Sequence, residues 1–226
     1  MDNRKSVLGK IRRIAAASFE NAVRLHEDAI LLFKNDRIPS ALQMSVLSIE
    51  EIGKYYMHED VWWHNRIEYV WSVQDMQLFL RGVYSHTSKQ KWFASQVDSP
   101  LISKPLLNIL QAGWVDNIKQ KATYVGMPRK GRNIDFDKRL TSPKYTSRRR
   151  AENFITMVND YIIDLAVGIR KGFYSLDIPE IEDWLAELET ERHFLELWPL
   201  MRKTTNNRLQ KMRKSKDIAR NAIKKS

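Results

Sequence analysis

Glu50, Glu51 and Lys54 stand with Gly53 in five consecutive positions of the stretch Ser48-Ile-Glu-Glu-Ile-Gly-Lys54. Carboxylates accept protons and orient donors, and an ammonium meets anionic oxygen, so this grouping has the parts of a polar site. Exposed to water, a Glu50–Lys54 pair four residues apart on a helix contributes only about 0.3–0.5 kcal/mol. Buried, the same charges need partners, and the cluster is then either a mutually satisfied network or a functional site. Gly53 adds a packing question. Glycine inside a helix costs about 0.5–1 kcal/mol relative to alanine, and the close approach of a neighbouring backbone is the compensation expected.

Other chemistries find less support. A carboxylate-bridged metal bundle uses repeated Glu-x-x-His pairs. None of the five histidines has a glutamate three residues before it, and only His193-x-x-Glu196 runs in the reverse order, so no metal site is expected. No glycine cluster resembles a phosphate-binding loop or a dinucleotide fingerprint, and no cofactor is expected. The aromatic run Tyr55, Tyr56, Trp62, Trp63, Tyr69 and Trp71 has the residue types that stack on bases, although large aromatics more often bury area in a core or interface.

The elements that position these residues read as helices. From Ser6 to Lys34, Ile11, Ala15, Ser18, Ala22, Leu25, Ala29 and Leu32 recur at spacings of four and three, marking one face whose small members imply close helix contact. After Asn35-Asp36-Arg37, Pro39 suits a first turn, and Ile38, Leu42, Ser45, Ile49, Ile52 and Tyr56 form the next stripe. So short a connection predicts antiparallel packing. Met44, Leu47 and Tyr55 lie off that stripe, which predicts that the second helix is covered on more than one side. A third helical region is expected over 67–96, interrupted near Gly82, and a fourth over 106–124 behind Pro100 and Pro105. A long loop follows over 126–147, then a fifth helix over 148–171. Asp177-Ile-Pro-Glu180 opens a sixth, with Trp184, Leu188, Phe194, Leu195, Leu197 and Trp198 docking it on the bundle. No strand alternation or fixed repeat is evident. The expected fold is an all-α, up-and-down bundle.

Composition sets the class. The chain has 226 residues, 43% hydrophobic, with eight glycines, seven prolines and no cysteine, which suits one helical domain and excludes disulfides and thiolate metal sites. The N-terminal residues are too charged for a secretory leader and no window is apolar enough to span a membrane, so a cytoplasmic protein is expected. Residues 202–226 carry ten Lys or Arg against Asp217 alone, a net +9 of the chain's +11. The expected division is a helical domain over 1–201 and a basic tail over 202–226. In the tail, Arg208, Lys211, Arg213, Lys214 and Lys216 are candidate contacts for RNA or another polyanion, against the plainer reading of a solvated charged segment.

Several stretches occur in a suggestive order: FENAVRLHEDAILLF (19–33), ALQMSVLSIEEIGK (41–54), SHTSKQKWFA (85–94) and IKQKATYVG (118–126). Together they resemble the AbiV family of bacterial abortive-infection proteins, a branch of the HEPN superfamily. The resemblance covers most of residues 10–126; beyond that the chain is similar only in being helical. It implies a HEPN-like bundle, a homodimer, and an antiphage role that halts growth of the infected cell. Many HEPN proteins are metal-independent ribonucleases with an Arg-x4–6-His motif, and Arg81-Gly-Val-Tyr-Ser-His86 matches it with Gly82 where related nucleases carry a polar residue.

On an unbroken helix Arg81 and His86, five residues apart, do not share a face. A break at Gly82, followed by Thr87-Ser-Lys-Gln90 as a capping box, places His86 just before a helix N-terminus, with Lys89 as a second positive group. The chemistry implied is RNA transesterification: His86 as base, Arg81 and Lys89 against the phosphorane charge, and Glu50, Glu51 and Lys54 in support. The alternative is a non-enzymatic effector that binds a phage protein or the translation machinery.

Overall fold

The structure is a computed structural model and describes residues 2–67, 71–97, 104–127, 129–130, 133–172 and 178–199. Tyr69 and the basic tail, with Arg208, Lys211, Arg213, Lys214 and Lys216, lie outside the described residues.

Two long helices form the first layer, α1 (Asp2–Lys34) and α2 (Ile38–Ile67). The turn between them is set by Asp36, whose φ of 59° puts it in the left-handed region. Arg37 N–H then reaches the Leu32 carbonyl at 2.8 Å and Asp36 N–H that of Phe33 at 3.1 Å, which satisfies carbonyls the helix end would orphan. The reversal is antiparallel as expected, since Phe19 packs edge-on to Tyr55 while Ser48 Oγ donates to the Ala22 carbonyl at 2.7 Å. That last contact is possible because Ala15, Ser18, Ala22 and Ala29 are small and buried, letting the two backbones approach.

The second helix is the centre of the molecule. It packs on α1, α4 (His86–Gln96), α6 (Val115–Thr123) and α7 (Arg148–Arg170). Ile49 and Ile52 of its main stripe are fully buried, and so is Tyr55 off that stripe, so a second side is covered as the off-stripe residues predict. The seventh helix is buried on every side from Phe154 to Ile169. Each large apolar side chain so enclosed contributes about 1.5–3 kcal/mol against exposure.

The bundle differs from expectation at its interruptions. The third helical region divides into α3 (Val73–Leu80), a 3₁₀ turn (Arg81–Tyr84) and α4. The break at Gly82 is present, but the cap is Ser85, whose Oγ accepts from Ser88 N–H, so His86 is the first residue of the helix instead of the residue outside it. The expected helix over 106–124 is two, α5 (Lys104–Gln111) and α6, because Gly113 turns the chain at φ 71°. Thr87 lies where a Cβ at Gly113 would stand. The loop over 126–147 contains a two-residue hairpin, β1 (Arg129–Lys130) and β2 (Asn133–Ile134), below the length at which alternation is visible. The last region is α8 (Pro179–Ala186) and α9 (Leu188–Leu197), separated at Glu187. Phe194 and Trp198 dock as expected, but the break turns Leu188 outward, leaving it 61% exposed. Among the described residues no helix is long and apolar enough to cross a membrane.

Candidate active site

Glu50 is almost wholly buried on α2, and four groups from two other helices surround it. The imidazole Nδ1 of His86 lies 2.7 Å from Oε2, while Gln90 Nε2 and Lys119 Nζ each donate to Oε1 at 3.0 Å. Lys89 Nζ stands 3.9 Å from Oε2. His86, Lys89 and Gln90 come from the first turn and a half of α4, and Lys119 from α6. The register of α4 against α2 is set by Gly53, because a Cβ there would lie 1.9 Å from the Lys89 carbonyl oxygen. The glycine is thus the point of closest backbone approach, the compensation that its place in a helix demanded.

Hydrogen-bond chemistry assigns the proton on His86. Lys119 donates to Glu50 and pairs with Asp116 Oδ1 at 3.2 Å, so its ammonium has carboxylate acceptors on both sides. Nδ1 also lies 3.2 Å from that ammonium, but two donors cannot satisfy each other, and Nδ1–H pointing at the buried carboxylate resolves the set. In the neutral ring Nε2 is then the nitrogen with the free lone pair, on a side chain that is half exposed. A base held in one tautomer by a buried acid is the arrangement that proton abstraction requires. Lys89 and Lys119 are both only 12% exposed at the side chain, so their charges act with little screening by solvent.

The remaining candidates separate. Glu51 pairs with Lys54 at 3.3 Å, in place of the Glu50–Lys54 pair expected from spacing, because Glu50 turns toward α4 and α6. Among the described residues that pair makes no hydrogen bond or ion pair with His86. The Lys54 carbonyl accepts from His58 Nδ1 at 2.7 Å, and burial lowers the His58 pKa, favouring the neutral ring. Arg81 is exposed at the start of the 3₁₀ turn, and its side chain makes no hydrogen bond or ion pair with Glu50, His86 or Lys119 among the described residues. The sequence alone does not mark Gln90, Asp116 and Lys119 as site residues. Gln90 reads in sequence as part of a cap, and Asp116 and Lys119 lie on a helix whose polar face resembles any solvated one.

Ligand atoms of Glu50, His86 and Asp116 lie within 4.8 Å of one another, a donor set of the type that holds a divalent cation. The Lys119 ammonium contacts all three and supplies a positive charge at their centre.

A family model of HEPN proteins, described as AbiV, matches residues 10–163. The chain belongs to the AbiV family. The match extends past the quoted stretches through most of α7, so the fifth helix belongs to the family's fold as well. All the groups around Glu50 in this AbiV-family chain lie inside the matched segment, and the membership points to an abortive-infection, HEPN-type function. No curated protein and no solved structure matches the chain.

Proposed function

We propose that this AbiV-family protein is an antiphage effector that cleaves RNA by HEPN-type, metal-independent transesterification. The observation that carries the reading is the 2.7 Å contact between the buried Glu50 carboxylate and the half-exposed His86 imidazole. In this reading His86 Nε2 takes the proton of a ribose 2′-hydroxyl. The freed 2′-oxygen attacks the adjacent phosphorus, the bond to the 5′-oxygen breaks, and the imidazolium returns its proton to that leaving oxygen. A 2′,3′-cyclic phosphate and a 5′-hydroxyl result. Glu50 orients the ring and offsets its charge, while Lys89 and Lys119 oppose the negative charge of the phosphorane. Lys119 thereby takes the part first given to Arg81.

The protein is a homodimer in this reading. Tyr84, 89% exposed, and Trp114, 67% exposed, sit beside the His86 turn and the Gly113 turn and offer apolar area to a second copy. Sedimentation of the purified chain reads the mass directly.

Purified protein with single-stranded RNA tests the reaction. His86→Ala lowers the cleavage rate by about 100-fold or more, the usual worth of a positioned acid–base group, with circular dichroism unchanged. Cleavage equal to that of the parent removes His86 from the reaction. One observation favours a second reading, a non-enzymatic effector that blocks a phage protein or the translation machinery: among the described residues Arg81 makes no hydrogen bond or ion pair with the Glu50 cluster. Growth arrest that survives His86→Ala selects the blocking role. The basic tail is a further candidate RNA contact, and truncation after Met201 weakens RNA binding if it serves that purpose.

A further inference from the structure

A concavity lies on a different face of α6, away from His86. It has a volume of about 300 Å³ and is walled by α6, the loop that follows it and the start of α7. Lys121, Arg139 and Arg150 line it with the hydroxyls of Ser142 and Thr146 and the ring of Tyr145, and among the described residues no carboxylate lines it. Among the described residues the side chains of these three cations make no ion pair or hydrogen bond, and neither hydroxyl has a partner. Arg24 and Lys138, by contrast, are each paired with an acid on their own segment, Asp28 and Asp135. Three unneutralised positive charges around one hollow repel each other and concentrate positive potential there.

The loop that carries Arg139 is tied in place. Thr141 and Gly126 exchange both backbone hydrogen bonds, at 2.8 and 3.0 Å, and Thr141 Oγ1 also donates to the Gly126 carbonyl. Arg139 and Tyr145 therefore flank an anchored segment. Leu42 and Ile118 supply an apolar floor. The volume is at the small end of ligand pockets, about 300–1,000 Å³, which suits a single ring-bearing unit better than a strand.

We propose that this pocket binds the phosphate of a nucleotide, with Arg139, Arg150 and Lys121 on the phosphate and Tyr145 and the apolar floor against the base. The two guanidinium forks match phosphate geometry, and the free hydroxyls complete its hydrogen bonds. The start of α7, a helix of 23 residues, adds its positive end to the same wall. The site goes beyond the His86 chemistry and does not depend on it.

Titration calorimetry on the full chain tests this with adenosine 5′-monophosphate, adenosine, and a short oligoribonucleotide carrying a 5′-phosphate. Either phosphorylated ligand binds, and which of the two does so identifies whether the phosphate comes from a free nucleotide or a strand end. Adenosine binds at least about tenfold more weakly, and Arg139→Ala and Arg150→Ala each lower affinity by about tenfold or more. His86→Ala leaves the affinity for adenosine 5′-monophosphate unchanged, so a failed nuclease reading does not affect it. Arg139 lies outside any helix, and its variant keeps the test open if Arg150→Ala fails to fold. Absence of heat with both phosphorylated ligands, or affinity indifferent to Arg139→Ala, overturns the proposal.

Discussion

Replacing Gly53 with alanine separates two effects of opposite sign. In an open helix the change stabilises, by about 0.5–1 kcal/mol, because alanine has less backbone freedom to lose. At Gly53 the new Cβ would stand 1.9 Å from the Lys89 carbonyl oxygen and 2.7 Å from its carbon, and ordinary contact begins at 3.4 Å. Backbone cannot rotate aside as a side chain can, so α4 must withdraw by about 1.5 Å, the difference between 1.9 and 3.4 Å. Overpacking of this sort costs about 1–3 kcal/mol and here outweighs the helix gain. A withdrawal of that size also carries the 2.7 Å contact between His86 and Glu50 out of hydrogen-bond range. Urea denaturation of Gly53→Ala is expected to show a net loss of about 1–3 kcal/mol, together with displaced resonances of the His86 ring. Gly9→Ala on α1 is the control, since nothing lies within 4 Å of the added methyl, and it gains a fraction of a kcal/mol. A Gly53→Ala protein as stable as the parent or more so, with His86 unmoved, refutes the close-approach account and the register it gives to the site.

Acid sensitivity follows from His26, which is fully buried with Nε2 3.0 Å from Asn159 Oδ1 and whose pKa burial lowers to about 4. The unfolded chain binds this proton near pH 6.5 and the folded chain only near 4, so its contribution is fully present above 6.5 and lost as pH falls toward 4. The loss is about 3 kcal/mol over that window; a His26→Gln variant is expected to flatten the corresponding slope in pH-dependent denaturation, and an unchanged slope contradicts the assignment. Lys119→Ala removes the ammonium from among Glu50, His86 and Asp116, and the variant is expected to bind cobalt(II) more tightly than the parent. Calorimetry and the visible spectrum report it, and equal affinity in the two proteins means that the ammonium does not occupy the donor set.

The long helices were legible because their signals are local and repeated. The α1 face of Ile11, Ala15, Ser18, Ala22, Leu25 and Ala29 is buried as its spacing requires. Interruptions were harder to place. Gly82 marked one, but the caps compete within a few residues, and Ser85 prevailed over Thr87. Gly113 gives no sequence sign of a break, since a single glycine in a helical pattern is tolerated unless its φ must be positive. At the site, Gly53 signalled close approach from its residue type alone. The partner of Glu50 did not follow from spacing, because α2 alone offers Lys54 at four residues, whereas the groups that meet the carboxylate come from α4 and α6. A resemblance brought His86 forward. Lys119 had no local signature, since a lysine on a short amphipathic helix is usually in water.

Glu50 receives His86 and Lys119 from 36 and 69 residues further along the chain. A ribosome therefore releases the acid first, the imidazole next and the ammonium last. Translation products that end early lack the completed centre, and a cell producing this protein meets the assembled chemistry only after α6 has emerged and docked.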